Sequence, residues 1–293
     1  MEDIIEDALD AINDFVFDLF EGILRGRLET MFEFVDDATG IISSEVAETP
    51  NSWNSTIFST LQSISSTVIL PIGTMIITAI LCYEIISKVI ESNYGRGGET
   101  KMIFVLVFKA MVGVFLLAHC FDITLAIFDV GSHVVSEVTG SYLTGTADSL
   151  GVWGVDTFDA EISRMSLGEL IGATLEAILV NTALSIMSIC IMVILYGRMM
   201  EIYMYISIAP IPFATFLNRE WGAIGNNYVR NLLALAFQTF FIIICVVIFN
   251  ALLTNISTVG LIRGMWDVLL YTVLLCIMLF KSGTISKSIF NAH

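Results

Sequence analysis

The chain has 293 residues, of which 56% are hydrophobic and only 14% charged, where soluble domains are about a quarter charged. Its net charge of −16, from 13 Lys and Arg against 29 Asp and Glu, excludes general nucleic-acid binding by the chain's own surface, which needs clustered cations. Fourteen of the 29 acidic residues precede residue 50, so the acidity lies outside the apolar runs. Those runs predict an all-α polytopic transmembrane bundle of about five spans.

Residues 1–24 read as an amphipathic helix. Ile5, Leu9, Ile12, Val16, Leu19 and Ile23 recur at spacings of four and three, and Asp3, Asp7, Asp10, Asp14, Asp18 and Glu21 take the opposite face. An acidic face does not suit anionic headgroups, so this helix is expected to pack on the protein or on a partner. A second short helix is expected over 27–37, and the two make an acidic extracytoplasmic region over 1–50. A start of Met1, Glu2, Asp3 lacks the basic beginning of a signal peptide.

The membrane domain is expected over 51–293. A polar linker at 40–56 and a Ser/Thr-rich approach lead to spans at about 68–87 and 102–128. A polar segment of 129–166 precedes the third span, 168–197. The stretch 199–217 is apolar but broken by Pro210 and Pro212. The last spans are expected at 231–253 and 266–280.

Orientation follows from Lys and Arg near the span ends. With the N-terminus outside, the inner segments hold Lys88, Arg96, Lys101, Arg198, Arg219, Arg230, Lys281 and Lys287, and the outer ones Arg25, Arg27, Arg164 and Arg263. This puts the N-terminus outside and the C-terminus in the cytoplasm. It requires an odd number of crossings, so 199–217 is read as a re-entrant or interfacial helix, because proline frees backbone groups that need partners.

Ionisable groups inside spans cost about 2.5–3.5 kcal/mol each on the insertion scale, which marks them as candidates. They are Glu84, Lys109, Asp122 and Glu176, with His119 beside Asp122, and Lys109 is expected to snorkel or to pair with Glu84. The polar residues Asn181, Gln238 and Asn250 are expected to bridge helices by hydrogen bonds. No catalytic constellation, cofactor loop or metal motif is present: Gly95-Arg96-Gly97-Gly98 lacks the Walker spacing. The five cysteines, Cys82, Cys120, Cys190, Cys245 and Cys276, are too far apart for a CxxC pair. The chain is therefore read as a non-enzyme without cofactors. Residues 205–230 are the candidate docking or gating element, with Pro210, Pro212, Arg219, Trp221 and Arg230.

The stretch Ile206-Ser207-Ile208-Ala209-Pro210-Ile211-Pro212-Phe213-Ala214-Thr215-Phe216, followed by Trp221, Tyr228, Arg230 and Gln238, resembles the signature of the TrbL-like conjugal transfer family. That family includes the sixth VirB protein of type IV secretion systems. The motif covers 200–240 and the layout 60–293, and the short tail is similar to that of the smaller members on Gram-positive mobile elements. The resemblance implies an inner-membrane channel or scaffold subunit that hydrolyses nothing. It implies a homo-oligomer in the bilayer that contacts a conjugation ATPase and other membrane subunits, with single-stranded DNA bearing its relaxase, or an effector protein, as transient substrate. The competing readings are a small-solute or ion transporter working through Lys109, Glu176 and Asp122, and a pore-forming or holin-like protein. A transporter is expected to show paired broken helices in inverted repeats, and no repeat is visible.

Overall fold

The computed structural model describes residues 2–92, 99–139, 158–216, 218, 220–254, 256 and 260–292. Among them the regular structure is helical throughout. Helix α1 spans Glu2–Ala47, α2 Pro50–Trp53 and α3 Ser55–Ile64, which continues through a π turn at Ser65–Ile69 into α4, Leu70–Ser92. Then come α5 (Glu99–Ala118), α6 (Cys120–Val138), α7 (Asp159–Ile162), α8 (Leu167–Ile208), α9 (Pro210–Thr215), α10 (Gly222–Leu253) and α11 (Leu261–Ile289).

Four stretches among the described residues are long and apolar enough to cross a membrane: Ser55–Ser87, Leu167–Ile208, Gly222–Leu253 and Leu261–Ile289. The pair Phe104–Ala118 and Cys120–Val138, bent by 63°, makes a fifth if it crosses as one broken span. The span expected at 102–128 is thus two rods meeting at His119. At the joint the Thr124 hydroxyl donates to the Cys120 carbonyl at 2.7 Å, a side-chain bond that competes with the helix ladder and favours bending. The polar segment expected from 129 onward is helical as far as Val138, and residues 140–157 lie outside the described residues.

Where two N-terminal helices and a linker were expected, α1 is one helix of 46 residues. No proline interrupts it before Pro50, and the residue before a proline is driven out of the helical region. The expected linker holds the caps of the next two helices. Thr49 and Ser52 form a capping box on α2, and the Asn54 side chain accepts from the Ile57 amide at 2.9 Å to start α3. Helix α8 also differs from expectation: the third span and the first half of the broken segment form one helix of 42 residues. At 1.5 Å per residue that is roughly 63 Å, about twice the hydrocarbon thickness of a bilayer.

Packing divides the chain into two compact units. The first comprises Met1–Val46, Ser136–Leu195 and Ile242–Lys281. In it α1 buries Leu24, Leu28, Met31, Val35, Ala38, Ile42 and Val46. This run at spacings of three and four shows why residues 24–46 stay helical and docked. The Asn181 amide donates to the Arg27 carbonyl at 2.7 Å, and Thr39 donates to Asn250 Oδ1 at 3.2 Å. Arg25 bonds Glu21 and Asp159, and its pKa is raised above the ordinary value by those bonds, Glu21 first. Glu161 accepts from the Leu261 amide at 3.0 Å, an acidic cap where the helix dipole favours one.

The second unit comprises Ala47–Val135, Tyr196–Phe241 and Ser282–His293. Its core gathers Phe58, Cys120, Phe128, Met199, Ile202, Tyr203, Ile206, Ala209, Phe213, Tyr228, Leu232, Leu235 and Ala236. Trp53 packs on it, edge-on to Tyr196 with ring centroids 5.5 Å apart, and the Tyr203 hydroxyl donates to the Pro50 carbonyl at 2.8 Å. Close backbone approach joins α6 to α10: a Cβ on Gly131 would stand 2.8 Å from the Ala236 carbonyl oxygen.

Candidate functional site: the proline-broken segment

Helix α8 ends at Ile208 because Pro210 has no amide proton and its ring displaces the carbonyl four residues back, that of Ile206. The Ala209 amide turns to Ile206 instead, at 3.3 Å. That leaves the Tyr205 carbonyl without its helical partner, and the Tyr228 hydroxyl, from α10, donates to it at 2.8 Å. Of the carbonyls expected to be freed near 205–208, those of Tyr205 and Ile206 are therefore satisfied by protein, as a low-dielectric setting demands.

The short helix α9 that follows is buried at Pro210, Pro212, Phe213, Ala214 and Thr215, and it packs on α4, the π turn and α5. Two glycines, which the sequence reading did not single out, admit it. A Cβ on Gly73 would stand 2.8 Å from the Pro210 carbonyl oxygen, and one on Gly225 2.8 Å from that of Pro212. Real Cβ atoms essentially never come so close, so both prolines' carbonyls rest against backbone that only glycine offers. Phe213 stacks edge-on to Tyr228 at 5.8 Å and tilted on Phe216 at 5.5 Å.

After α9, Asn218 accepts from the amides of Glu220 and Trp221 at 2.7 and 3.0 Å, so its side chain shapes the turn into α10. Arg219 lies outside the described residues. Trp221 and Ile224 are exposed, and Arg230 reaches the Asn291 carbonyl at 3.5 Å. An open cleft of about 610 Å³ lies here, lined by Ala223, Ile224, Asn226, Asn227, Arg230 and Asn291. The element thus combines a rigid, buried proline block with an exposed aromatic and a cationic, amide-lined cleft.

The intramembrane candidates separate into local pairs. Lys109 Nζ donates to Glu84 Oε1 at 2.6 Å, the expected pair, and Glu84 Oε2 is buried without a hydrogen-bond partner. Asp122 stands 3.2 Å from His119 Nδ1 at the α5–α6 joint. Glu176 accepts from the Trp266 indole at 2.9 Å. Glu176 belongs to the first unit and Lys109 to the second. Gln238 donates to Ser282 at 3.2 Å and lies against Gly283, where a Cβ would be 3.2 Å from its amide nitrogen. Asn250 accepts from Thr39, but its Nδ2 is buried without a hydrogen-bond partner. Glu176 and Asn181 both have partners inside the chain, because helices α1 and α11 bring them a carbonyl and an indole.

Arg198 was read only as a flanking charge. It is 7% exposed, and its Nε has no hydrogen-bond partner. Glu201, one turn further along α8, is held by Lys287 at 2.7 Å. Only tertiary packing reveals this, since Arg198 sits beside the buried Met199 and Ile202.

Neither the curated proteins nor the solved structures compared with the chain include a match. A family model does match, over residues 35–210, from the docked half of α1 to the first proline of the broken segment: the chain belongs to the family of TrbL/VirB6 plasmid conjugal transfer like proteins.

Proposed function

We propose that the chain is a channel or scaffold subunit that helps move single-stranded DNA with its relaxase, or an effector protein, across the cell membrane. Family membership makes it a membrane component of a conjugal transfer or type IV secretion system, and its four or five apolar crossings suit that station. The finer reading rests on the proline-broken segment. Its buried, tyrosine-capped block holds Trp221, Ile224, Arg230 and the adjoining cleft in fixed relation, as a docking or gating element for an export ATPase or a companion subunit requires. Self-association in the bilayer is part of the proposal, through surfaces other than the internally paired Glu176 and Asn181.

Deleting the reading frame from its mobile element tests this. Transfer to recipients is expected to fall by at least a thousandfold while nicking at the transfer origin continues, and a copy in trans restores it. Undiminished transfer in the deletion strain overturns the proposal.

A further inference from the structure

Helix α1 carries two apolar stripes, and only one of them is covered. The covered stripe is the run Leu24 to Val46. The other overlaps the stripe legible in the sequence, and it is exposed: Leu9 is 54% exposed, Ile12 60%, Phe15 69%, Leu19 50% and Ile23 37%, while Val16 is half-buried. At 3.6 residues per turn its centre is rotated by roughly 125° from the covered stripe. The face that docks residues 24–46 therefore turns the N-terminal stripe away from the bundle. Five large apolar side chains along four turns of one helix, left uncovered by the rest of the chain, mark an interaction surface rather than scattered surface residues.

Charge selects the occupant. Eight acidic residues and no Lys or Arg precede Arg25. Asp7 and Asp18 stand beside one margin of the stripe by register, and Asp10 and Asp14 on the face behind. Packing the same helix from a second copy would add acidic charge to acidic charge with no Lys or Arg to offset it, which is unfavourable. An anionic bilayer attracts cations and repels this polar face. A groove that is apolar at its floor and basic along its rim satisfies stripe and charge together, the helix-in-groove mode with complementary charge.

We propose that residues 7–23 dock in an apolar, Lys/Arg-rimmed groove of a different protein. The inference stands on the geometry and charge of α1, independently of DNA transfer.

A photo-crosslinking phenylalanine analogue at Ile12 or Phe15 of the full-length chain, irradiated in native membranes, tests it. The expected product is an adduct with another protein, mapped to an apolar segment flanked by Lys or Arg. The double variant Asp7→Lys, Asp18→Lys is expected to lower its yield at least tenfold, and Lys→Glu changes in the mapped rim to restore the yield with that variant. Circular dichroism of the purified variant, unchanged from the parent, shows that α1 still forms. A product that is a dimer of this chain, a lipid adduct, no product, or a yield indifferent to charge reversal overturns the proposal. Each of these leaves the transfer reading standing, because that reading is judged by transfer frequency.

Discussion

The hydroxyl of Tyr228 occupies the place of a helical amide: it donates at 2.8 Å to the Tyr205 carbonyl, which Pro210 has cut off from its own helix. A buried carbonyl left without a donor costs about 1–3 kcal/mol. Tyr228→Phe is therefore expected to destabilise the protein by that amount, read as a lower Tm in nanodiscs. In a Pro210→Ala background residue 210 regains its amide, Ala209 is free to bond Tyr205, and the cost of Tyr228→Phe shrinks to below about 0.5 kcal/mol, the usual size of a neutral surface change. Equal costs in both backgrounds would show that the hydroxyl serves some other end.

Gly73 and Gly225 are expected to tolerate no side chain. Gly73→Ala or Gly225→Ala sets a methyl 2.8 Å from a proline carbonyl oxygen, and such overpacking costs about 1–3 kcal/mol. Gly172→Ala is the control: nothing lies within 4 Å of its Cβ position, so a neutral or slightly stabilising effect is expected from helix propensity. Thermal unfolding of the three variants side by side decides it.

The Lys109–Glu84 pair predicts a rescue. Lys109→Met strands a carboxylate whose second oxygen already lacks a hydrogen-bond partner. On the order of 3 kcal/mol is lost, the insertion cost of a lone charge, and less protein accumulates in the membrane. Adding Glu84→Gln removes the stranded charge and is expected to restore most of that level. A single variant that accumulates like the parent would mean that the pair contributes nothing.

Replacing Pro210 and Pro212 together by Ala is expected to let α8 run on, to leave membrane insertion intact and to abolish transfer. Crosslinkers on the exposed Ala223 and Ile224 are expected to capture another machine component in the parent and not in the double variant. Asn218 is unsuitable for this, being buried and committed to the Glu220 and Trp221 amides. Transfer at parental frequency by the double variant defeats the docking proposal.

Topology turns on the bent pair. If the rods joined at His119 cross once, the chain has five crossings and its ends lie on opposite faces; if they re-enter, the ends share one face. In a variant lacking the native cysteines, Asp10→Cys is expected to react with an impermeant maleimide on intact cells and Asn291→Cys only after lysis. Labelling of both on intact cells would make the pair re-entrant.

The apolar runs were enough to determine that the chain is a helical membrane protein and roughly where its long apolar helices lie. A bilayer offers no water to unpaired backbone, so length and hydropathy alone dictate helices there. Pro210 likewise announced its own helix end, since the missing amide is a property of the residue. The amphipathic stripe at 5–23 was equally legible, but which face of α1 would be covered was not: two stripes share one helix, and only contact with the first unit's other segments selects between them. The family match ends at Pro210, so membership rests on the layout upstream of it as much as on the motif that carried the resemblance. Tertiary structure alone decided that Asn181 would meet Arg27, that Gly73 and Gly225 would admit the proline carbonyls, that Tyr228 would cap Tyr205 and that Arg198 would be buried. The contacts among these join residues 13 to 154 positions apart, at spacings where no local periodicity operates, and their geometry follows from how the helices pack.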